Sequence, residues 1–255
     1  MAILKIMSFN MRTSFSNDGI NNFTNRTSKI KTMLDAEAPD IIGFQEITPE
    51  MRDWLVDNLD DYYTLGAGRD KANAGEAPLI AYKKRDMQLL SCQTIMLSNT
   101  PNVFGSKYDG TDQSKCPRAY AKALLKHKDV DEPFYVYNVH TDHIGQLSRV
   151  LSSSQMLSDI CSHSYEFVFT GDFNAYPNSK EIQLLTDCTQ RKIIDATADL
   201  DGTFHDFGRR DVNIKIDYIF TSEGVQQVSA QIVPDTPTNG VFYSDHYAVT
   251  ATIKL

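Results

Sequence analysis

The sequence predicts a four-layer α/β sandwich: two mixed β-sheets packed face to face with helices on the outside, in one domain spanning residues 1–255. Two observations lead there. The chain opens strand, helix, strand, helix, the alternation of crossover units. Its middle and end then run through strand after strand, as meanders do, so a purely parallel, doubly wound sheet does not fit. No period of about 20 to 50 residues repeats and no low-complexity linker divides the chain.

Each element has its own signal. Residues 3–9 are strand-like. Residues 25–37 are helical, with Ile30, Met33 and Leu34 on one stripe, and Ala38-Pro39 stops that helix because proline has no N–H to continue it. Residues 40–46 form a buried-strand run that ends in an acid. Thr48-Pro49-Glu50 then supplies an N-cap, an N1 proline and a first-turn acid, followed by the stripe Met51, Trp54, Leu55. Strands are expected at 61–66, 79–84, 87–97, 119–127 and 133–140. A helix follows at 146–161, with Leu147, Val150, Leu151, Leu157 and Ile160 inward. Next come a strand at 165–171, a short helix at 178–188, and strands at 214–221, 225–233 and 246–254. The loops at 67–78, 98–117 and 201–212 are left to wall a substrate.

Composition narrows the classes. With 41% hydrophobic and 23% charged residues the chain reads as an ordinary globular protein. No apolar run approaches the roughly 18 residues a membrane span needs. Met1 leads almost directly into the first strand, so no signal peptide is expected. Cys92, Cys116, Cys161 and Cys188 have no short spacing, which fits reduced thiols in the cytoplasm and excludes a zinc-finger pattern. The net charge of −8 disfavours a surface built to grip many phosphates of duplex DNA.

The chemistry is carried by how the hydrophobic runs end. Met7-Ser8-Phe9 ends in Asn10, Ile41 to Gln45 in Glu46, and Phe134 to Val139 in His140. Phe167 to Gly171 ends in Asp172, with Asn174 two residues on. Ile214-Lys215-Ile216 ends in Asp217, and Ser244 leads into Asp245-His246. Buried strands rarely carry bare carboxylates, because desolvating the charge is costly. Acids gathered at one rim repel each other unless a cation lies between them. Taken singly, each residue also has an ordinary structural reading: Asn10 as a turn former, Glu46 as a helix-start acid, His140 as a core histidine.

The ordered set Ser8-Phe9-Asn10, Gln45-Glu46, Asn138-Val139-His140, Gly171-Asp172-Phe173-Asn174, Ile216-Asp217-Tyr218 and Ser244-Asp245-His246 resembles the endonuclease/exonuclease/phosphatase superfamily over essentially the whole chain. Asn25-Arg26, Gly75 to Tyr82, Leu97 to Pro101, Thr141-Asp142-His143 and Thr203-Phe204-His205 resemble a group of small bacterial members. Those commonly carry a tryptophan after the Arg118 position, where this chain reads Ala119-Tyr120-Ala121-Lys122.

The resemblance implies a metal-dependent phosphoester hydrolase in which water attacks phosphorus. Glu46 would be the principal metal ligand, with Asn10 beside it and Asp245 completing the set. These hard oxygens suit Mg²⁺ or Mn²⁺. Asp172 would be the general base and Asn174 a hydrogen-bonding partner of the water or phosphate. His246 would bind the phosphoryl group, Asp217 would orient His246, and His140 would stand against the phosphate. Arg26, Glu76, Arg118, Asp142, His143 and His205 are further candidates for contact with substrate, each with a structural salt-bridge or capping role as the alternative.

Rival readings fail on single residues. A metallo-β-lactamase-like site around His140-Thr141-Asp142-His143 needs a histidine where Asn138 stands. A calcineurin-like phosphoesterase needs an earlier Asp-x-His and a later Gly-Asn-His. A non-catalytic binding module would be favoured by a broken catalytic set. The expected substrate is a small phosphomonoester or phosphodiester such as a sugar phosphate, met by a monomer away from membranes. Nucleic acid, cleaved by a Mg²⁺-dependent nuclease, is the alternative.

Overall fold

The computed structural model describes residues 1–210 and 214–255. The end of the 201–212 loop therefore lies outside the described residues. Two six-stranded mixed sheets form the centre. The first contains β1 (Ile3–Asn10), β2 (Ile41–Ile47), β3 (Tyr62–Leu65) and β4 (Ala77–Lys83). The second contains β5 (Met87–Met96), β6 (Ala119–His127), β7 (Phe134–His140), β8 (Phe167–Asp172), β9 (Ile193–Asp195) and β10 (Asp217–Ser222). The last two strands, β11 (Gln226–Ile232) and β12 (Val249–Lys254), return to the first sheet. The orders are β11-β12-β1-β2-β4-β3 and β5-β6-β7-β8-β10-β9. Among the described residues, only β1–β2 and β7–β8 pair in parallel; the other neighbours are antiparallel.

Three apolar layers hold the four structural layers together. Between the sheets lie Leu4, Ile6, Ile41, Ile80, Val136, Val168, Ile219 and Val249. Helices α1 (Phe23–Glu37) and α2 (Pro49–Asn58) cover the first sheet through Ile30, Met33, Leu34, Met51 and Leu55. Helices α3 (Gln146–Cys161) and α4 (Lys180–Thr186) cover the second through Met156, Ile160, Ile182 and Leu185. Each such side chain contributes about 1.5–3 kcal/mol of transfer free energy.

Local chemistry sets the helix ends as expected. Thr48 caps α2 by accepting the Met51 N–H, with Pro49 at the first helical position. Ala38 ends α1 in a left-handed conformation, its N–H returning to Leu34 O at 2.9 Å.

Two expectations shift. In α3 the inward face is Ser148, Ser152, Ser153, Met156 and Ile160, whereas Leu147 is exposed. The serines are short, and Ser152 donates to Ser148 O, so the helix closes on the sheet through a small-residue face. The strand expected from 214 begins at Asp217, because Ile216 O takes the Phe173 N–H and Ile214 bridges Phe204 instead. Strand β9 had no sequence signal. The four cysteines are free, and Cys161 and Cys188 bring their sulfurs to 3.9 Å. No described helix is long and apolar enough to cross a membrane.

A polar plug joins the sheets beneath one rim. Asn138, on β7, donates to Phe44 O (2.7 Å) and Leu79 O (2.9 Å) on the opposite sheet. Its Oδ1 accepts from Gln45 Nε2 (2.7 Å) and Thr170 Oγ1 (3.2 Å). Gly43 permits this approach: a Cβ there would stand 1.9 Å from Thr170 Oγ1. Just beyond Phe44 the β2–β4 ladder breaks in a bulge, and Glu46 occupies it at φ +64°.

Candidate active site

The strand ends meet at the rim above this plug. On the second sheet the register sets His140, Asp172 and Asp217 side by side on β7, β8 and β10. On the first, Asn10 closes β1, and the bulge turns Glu46 toward the same rim, as bulges beside functional sites do. The segment before β12 brings Asp245 and His246 over them, fixed by Ser244 Oγ on Asn10 O and by the Phe204–His246 bridge. All the catalytic candidates, and the acids expected to hold metal, therefore gather in one place.

Their contacts define roles. Asp217 accepts from Thr203 Oγ1 (2.5 Å) and from His246 Nδ1 (2.9 Å). Burial alone would lower the His246 pKa, but Asp217, by charge and hydrogen bond, together with Asp172 and Asp245, raises it to about 10. The ring is an imidazolium at neutral pH, with Nε2 3.8 Å from Asp172 Oδ2. Burial and the neighbouring Asp217 charge push Asp172 up to about 7, against the pull of His246, the Asn174 N–H and Asn10. Asn174, at φ +46°, donates its backbone N–H to Asp172 Oδ1 (2.9 Å), and its side chain reaches Thr141 O. His140 is held neutral by burial and by Arg118 and Arg69, with Nε2 3.5 Å from Asp172.

Asn10 stands between the two acids of its neighbourhood, donating to Asp172 Oδ2 (2.9 Å) and Glu46 Oε1 (3.2 Å). Its Oδ1 takes the Arg12 N–H. Burial opposes ionisation of Glu46, yet the Thr13 N–H (2.7 Å), His246, Arg12 and Asn10 hold its pKa low. Asp245 is raised, first by burial and then by Glu46, against His246 and Arg12. The half-buried Glu46 and the buried Asp245, whose cost of ionisation Glu46 raises, are both hard oxygen donors and fit a divalent cation of the Mg²⁺ or Mn²⁺ type. Donor atoms of Asp172, Asp217 and His246 also lie within 4.8 Å of one another. His246 spends Nδ1 on Asp217, however, and its positive charge opposes a cation there.

The tentative substrate residues divide. Glu76, Arg118, Asp142 and His143 come together beside His140, joined by Arg69. Arg26 does not reach the site: it is fully buried, and its guanidinium donates to the carbonyls of Asn21, Met11, Tyr243 and Arg12. It ties the loop after β1 to the segment that carries Asp245. His205 is also buried, stacked among Tyr247 and Phe242, and its backbone N–H supports Asp245 O. Both are scaffold for the site instead of a surface for ligand.

Sequence reasoning passed over Arg12 and Arg69. Arg12 is gripped by Asp18 through two 3.0 Å bonds and stands 3.6 Å from Asp245. Its signal was a cation two residues past a polar strand end. Arg69 pairs with Glu76 at 2.7 Å, a contact no local spacing announces.

The chain is similar in structure to an endonuclease/exonuclease/phosphatase from Bacteroides vulgatus, at 29% identity and TM-score 0.93, covering 100% of both chains. A Bacteroides thetaiotaomicron protein of the same family matches at 25% identity and TM-score 0.88, over 99% of this chain and 97% of its own. A second protein of that organism, a mannosyl-6-phosphatase, shares the fold at 24% identity and TM-score 0.88, over 99% of this chain and 100% of its own. No curated protein matches by sequence. The profile of the Endonuclease/Exonuclease/phosphatase family matches residues 7–246. The chain belongs to that family.

Proposed function

We propose that this chain is a divalent-metal-dependent phosphoester hydrolase acting on small phosphomonoesters or phosphodiesters, sugar phosphates foremost. The observation that carries the reading is the row His140–Asp172–Asp217 with His246 laid over it. It puts a carboxylate poised at about 7 next to a fixed imidazolium, the pairing that water activation and phosphoryl binding require.

Asp172 orients the attacking water and takes its proton. Asn174 positions that carboxylate through its backbone N–H and offers its side-chain amide, which donates without titrating. His246, held by Asp217 and Thr203, binds the phosphoryl oxygens and offsets the charge that builds there. His140, neutral, is a hydrogen-bonding wall on the other side of Asp172. Glu46 and Asp245, with Asn10 beside them, would hold Mg²⁺ or Mn²⁺, which when bound polarises a phosphate oxygen and eases departure of the leaving oxygen.

The preference for small substrates rests on the net charge of −8 and on a rim whose cations, Arg12, Arg69 and Arg118, are paired with acids, which leaves no basic stripe for a polynucleotide among the described residues. The solved mannosyl-6-phosphatase of the same fold is a precedent for sugar-phosphate chemistry on this scaffold. The test is hydrolysis of a panel of sugar phosphates and simple phosphodiesters with Mg²⁺ or Mn²⁺, beside abasic and nicked DNA. Turnover of small esters is the expected result. DNA cleavage without small-ester turnover overturns the substrate class, and inactivity on every member overturns the hydrolase reading.

A further inference from the structure

We infer that a side-chain cluster beside the catalytic row recognises the leaving group as a polyol, with His143 as a fixed-tautomer hydrogen-bond donor and the Arg69–Glu76 pair as its companion. The inference rests on the phosphoester-hydrolase reading and deepens it.

The position follows from register. Ala119, His140 and Asp172 are paired across β6, β7 and β8. Neighbouring strands lie about 4.8 Å apart, so Arg118, one residue before Ala119, stands on a strand roughly 10 Å from that of Asp172. Arg118 is the strongest neighbouring charge on His140, so the cluster it anchors flanks the catalytic row on the His140 side. Glu76, one residue before β4, is close enough to Glu46 and Arg118 for its ionisation to respond to both.

The chemistry follows from who can donate. Arg118 Nη2 lies 2.7 Å from His143 Nδ1. A guanidinium only donates, so Nδ1 must accept and the ring proton resides on Nε2. Burial and the Arg118 charge keep the ring neutral. Arg118 is set in turn by Asp142, whose Oδ2 lies 3.6 Å from Nε and whose carboxylate also takes the N–H groups of Ser114, Ile144 and Gly145. The exposed His143 therefore presents one N–H donor of defined orientation at the mouth, and Arg118 is the positioning residue beneath it.

Two further facts favour a ligand over a purely internal salt network. Arg118 is 3% exposed, yet its Nε and Nη1 have no hydrogen-bond acceptor among the described residues. A buried donor left unmatched is costly, so the cluster retains unspent donor capacity. Those atoms are sealed in the free chain, so the exposed His143 is the group a ligand meets. The cluster is also balanced, with Arg69 and Arg118 against Glu76 and Asp142. Interleaved donors and acceptors suit vicinal hydroxyls, whereas a second phosphate would need surplus positive charge.

The experiment compares kcat/KM of Mg²⁺-loaded wild type, His143→Ala, His143→Gln, Arg118→Met and Glu76→Gln on a hexose 6-phosphate, phenyl phosphate and a hexose bisphosphate. His143→Ala and Glu76→Gln should lower the ratio of hexose-phosphate to phenyl-phosphate kcat/KM by about 10-fold or more, the weight of one directed hydrogen bond. His143→Gln, which keeps an N–H, should recover part of it. The ¹⁵N shifts of the His143 ring should report a single Nε2–H tautomer in wild type and a mixture in Arg118→Met. Equal losses on both monoesters in folded variants overturn the inference while leaving the hydrolase reading intact. A strong preference for the bisphosphate replaces the polyol with an anion and also overturns it. A wild type that turns over neither monoester overturns the reading beneath it.

Discussion

Replacing Asn138 by Ala tests how the fold reaches the site. The substitution removes three hydrogen bonds that span the two sheets, to Phe44 O, to Leu79 O and from Gln45, and one within its own sheet, from Thr170. Gln45 keeps Ser8 Oγ and Gly43 O, and Thr170 keeps Tyr137 O, so those two donors are still satisfied. The Phe44 and Leu79 carbonyls, at the break in the β2–β4 ladder, lose the donor that crosses to them. Each buried carbonyl left bare costs about 1–3 kcal/mol and each lost bond between satisfied groups about 0.5–1.5, so a loss of about 3–9 kcal/mol is expected. For a domain of this size that lowers Tm by roughly 6 °C or more. The same bulge holds Glu46 in a left-handed conformation that costs about 1–3 kcal/mol and persists only while its surroundings enforce it. Loosening the plug should let Glu46 relax and weaken Mg²⁺ binding, read by calorimetric titration below the new Tm. A Tm within about 3 °C of wild type, with unchanged metal affinity, would refute the claim that the plug supports the site.

Three other outcomes follow from the geometry. Asp172→Asn should cut kcat by about 10²- to 10⁴-fold with the circular-dichroism spectrum intact, since it removes the base but keeps the shape; retained turnover excludes Asp172 as the base. Mg²⁺ at about 100 times its Kd should stabilise wild type by about 2.7 kcal/mol, a Tm rise of roughly 5–10 °C, and EDTA should reverse it. Glu46→Gln should abolish that rise, and an unchanged rise in the variant would remove Glu46 from the metal site. His163, stacked on Tyr137, has its pKa lowered to about 4 by burial and by Lys122 and Arg191. Its folded pKa is below the unfolded value of about 6.5, so the unfolded chain binds the extra proton and stability falls as pH drops from about 6.5 toward 4. His163→Gln should flatten the Tm decline over that window, and parallel declines in the two proteins would contradict the assignment.

The six polar strand ends were legible because the physics that makes them informative is local: an apolar run that stops on an acid, amide or imidazole. Asn10, Glu46, His140, Asp172, Asp217 and His246 all meet at one rim for that reason. What stayed hidden depends on partners far apart in sequence. Gln45 looks like an ordinary strand residue until Asn138 is found across the sheets, and Arg26 looks like a ligand-binding cation until four carbonyls surround it.

The largest hidden feature is a duplication of topology with no sequence repeat behind it. Each half runs hairpin, strand, helix, parallel strand, helix, edge strand, inner strand: β11-β12-β1-α1-β2-α2-β3-β4 and β5-β6-β7-α3-β8-α4-β9-β10. Pseudo-equivalent positions at the rim are therefore Asn10 and His140, Glu46 and Asp172, the β4 start near Glu76 and the β10 start at Asp217, and the lead-ins that carry His246 and Arg118. Each half thus brings an acid at an inner-strand start and a cation at a hairpin lead-in to the same rim. In one corner they pair as Asp217 and His246, 2.9 Å apart and next to the base. In the other they face each other as Glu76 and Arg118, each also tied to another partner, Arg69 or His143. The scaffold builds one arrangement twice with different side chains; on the proposed reading, one corner handles phosphorus and the other chooses what is attached to it.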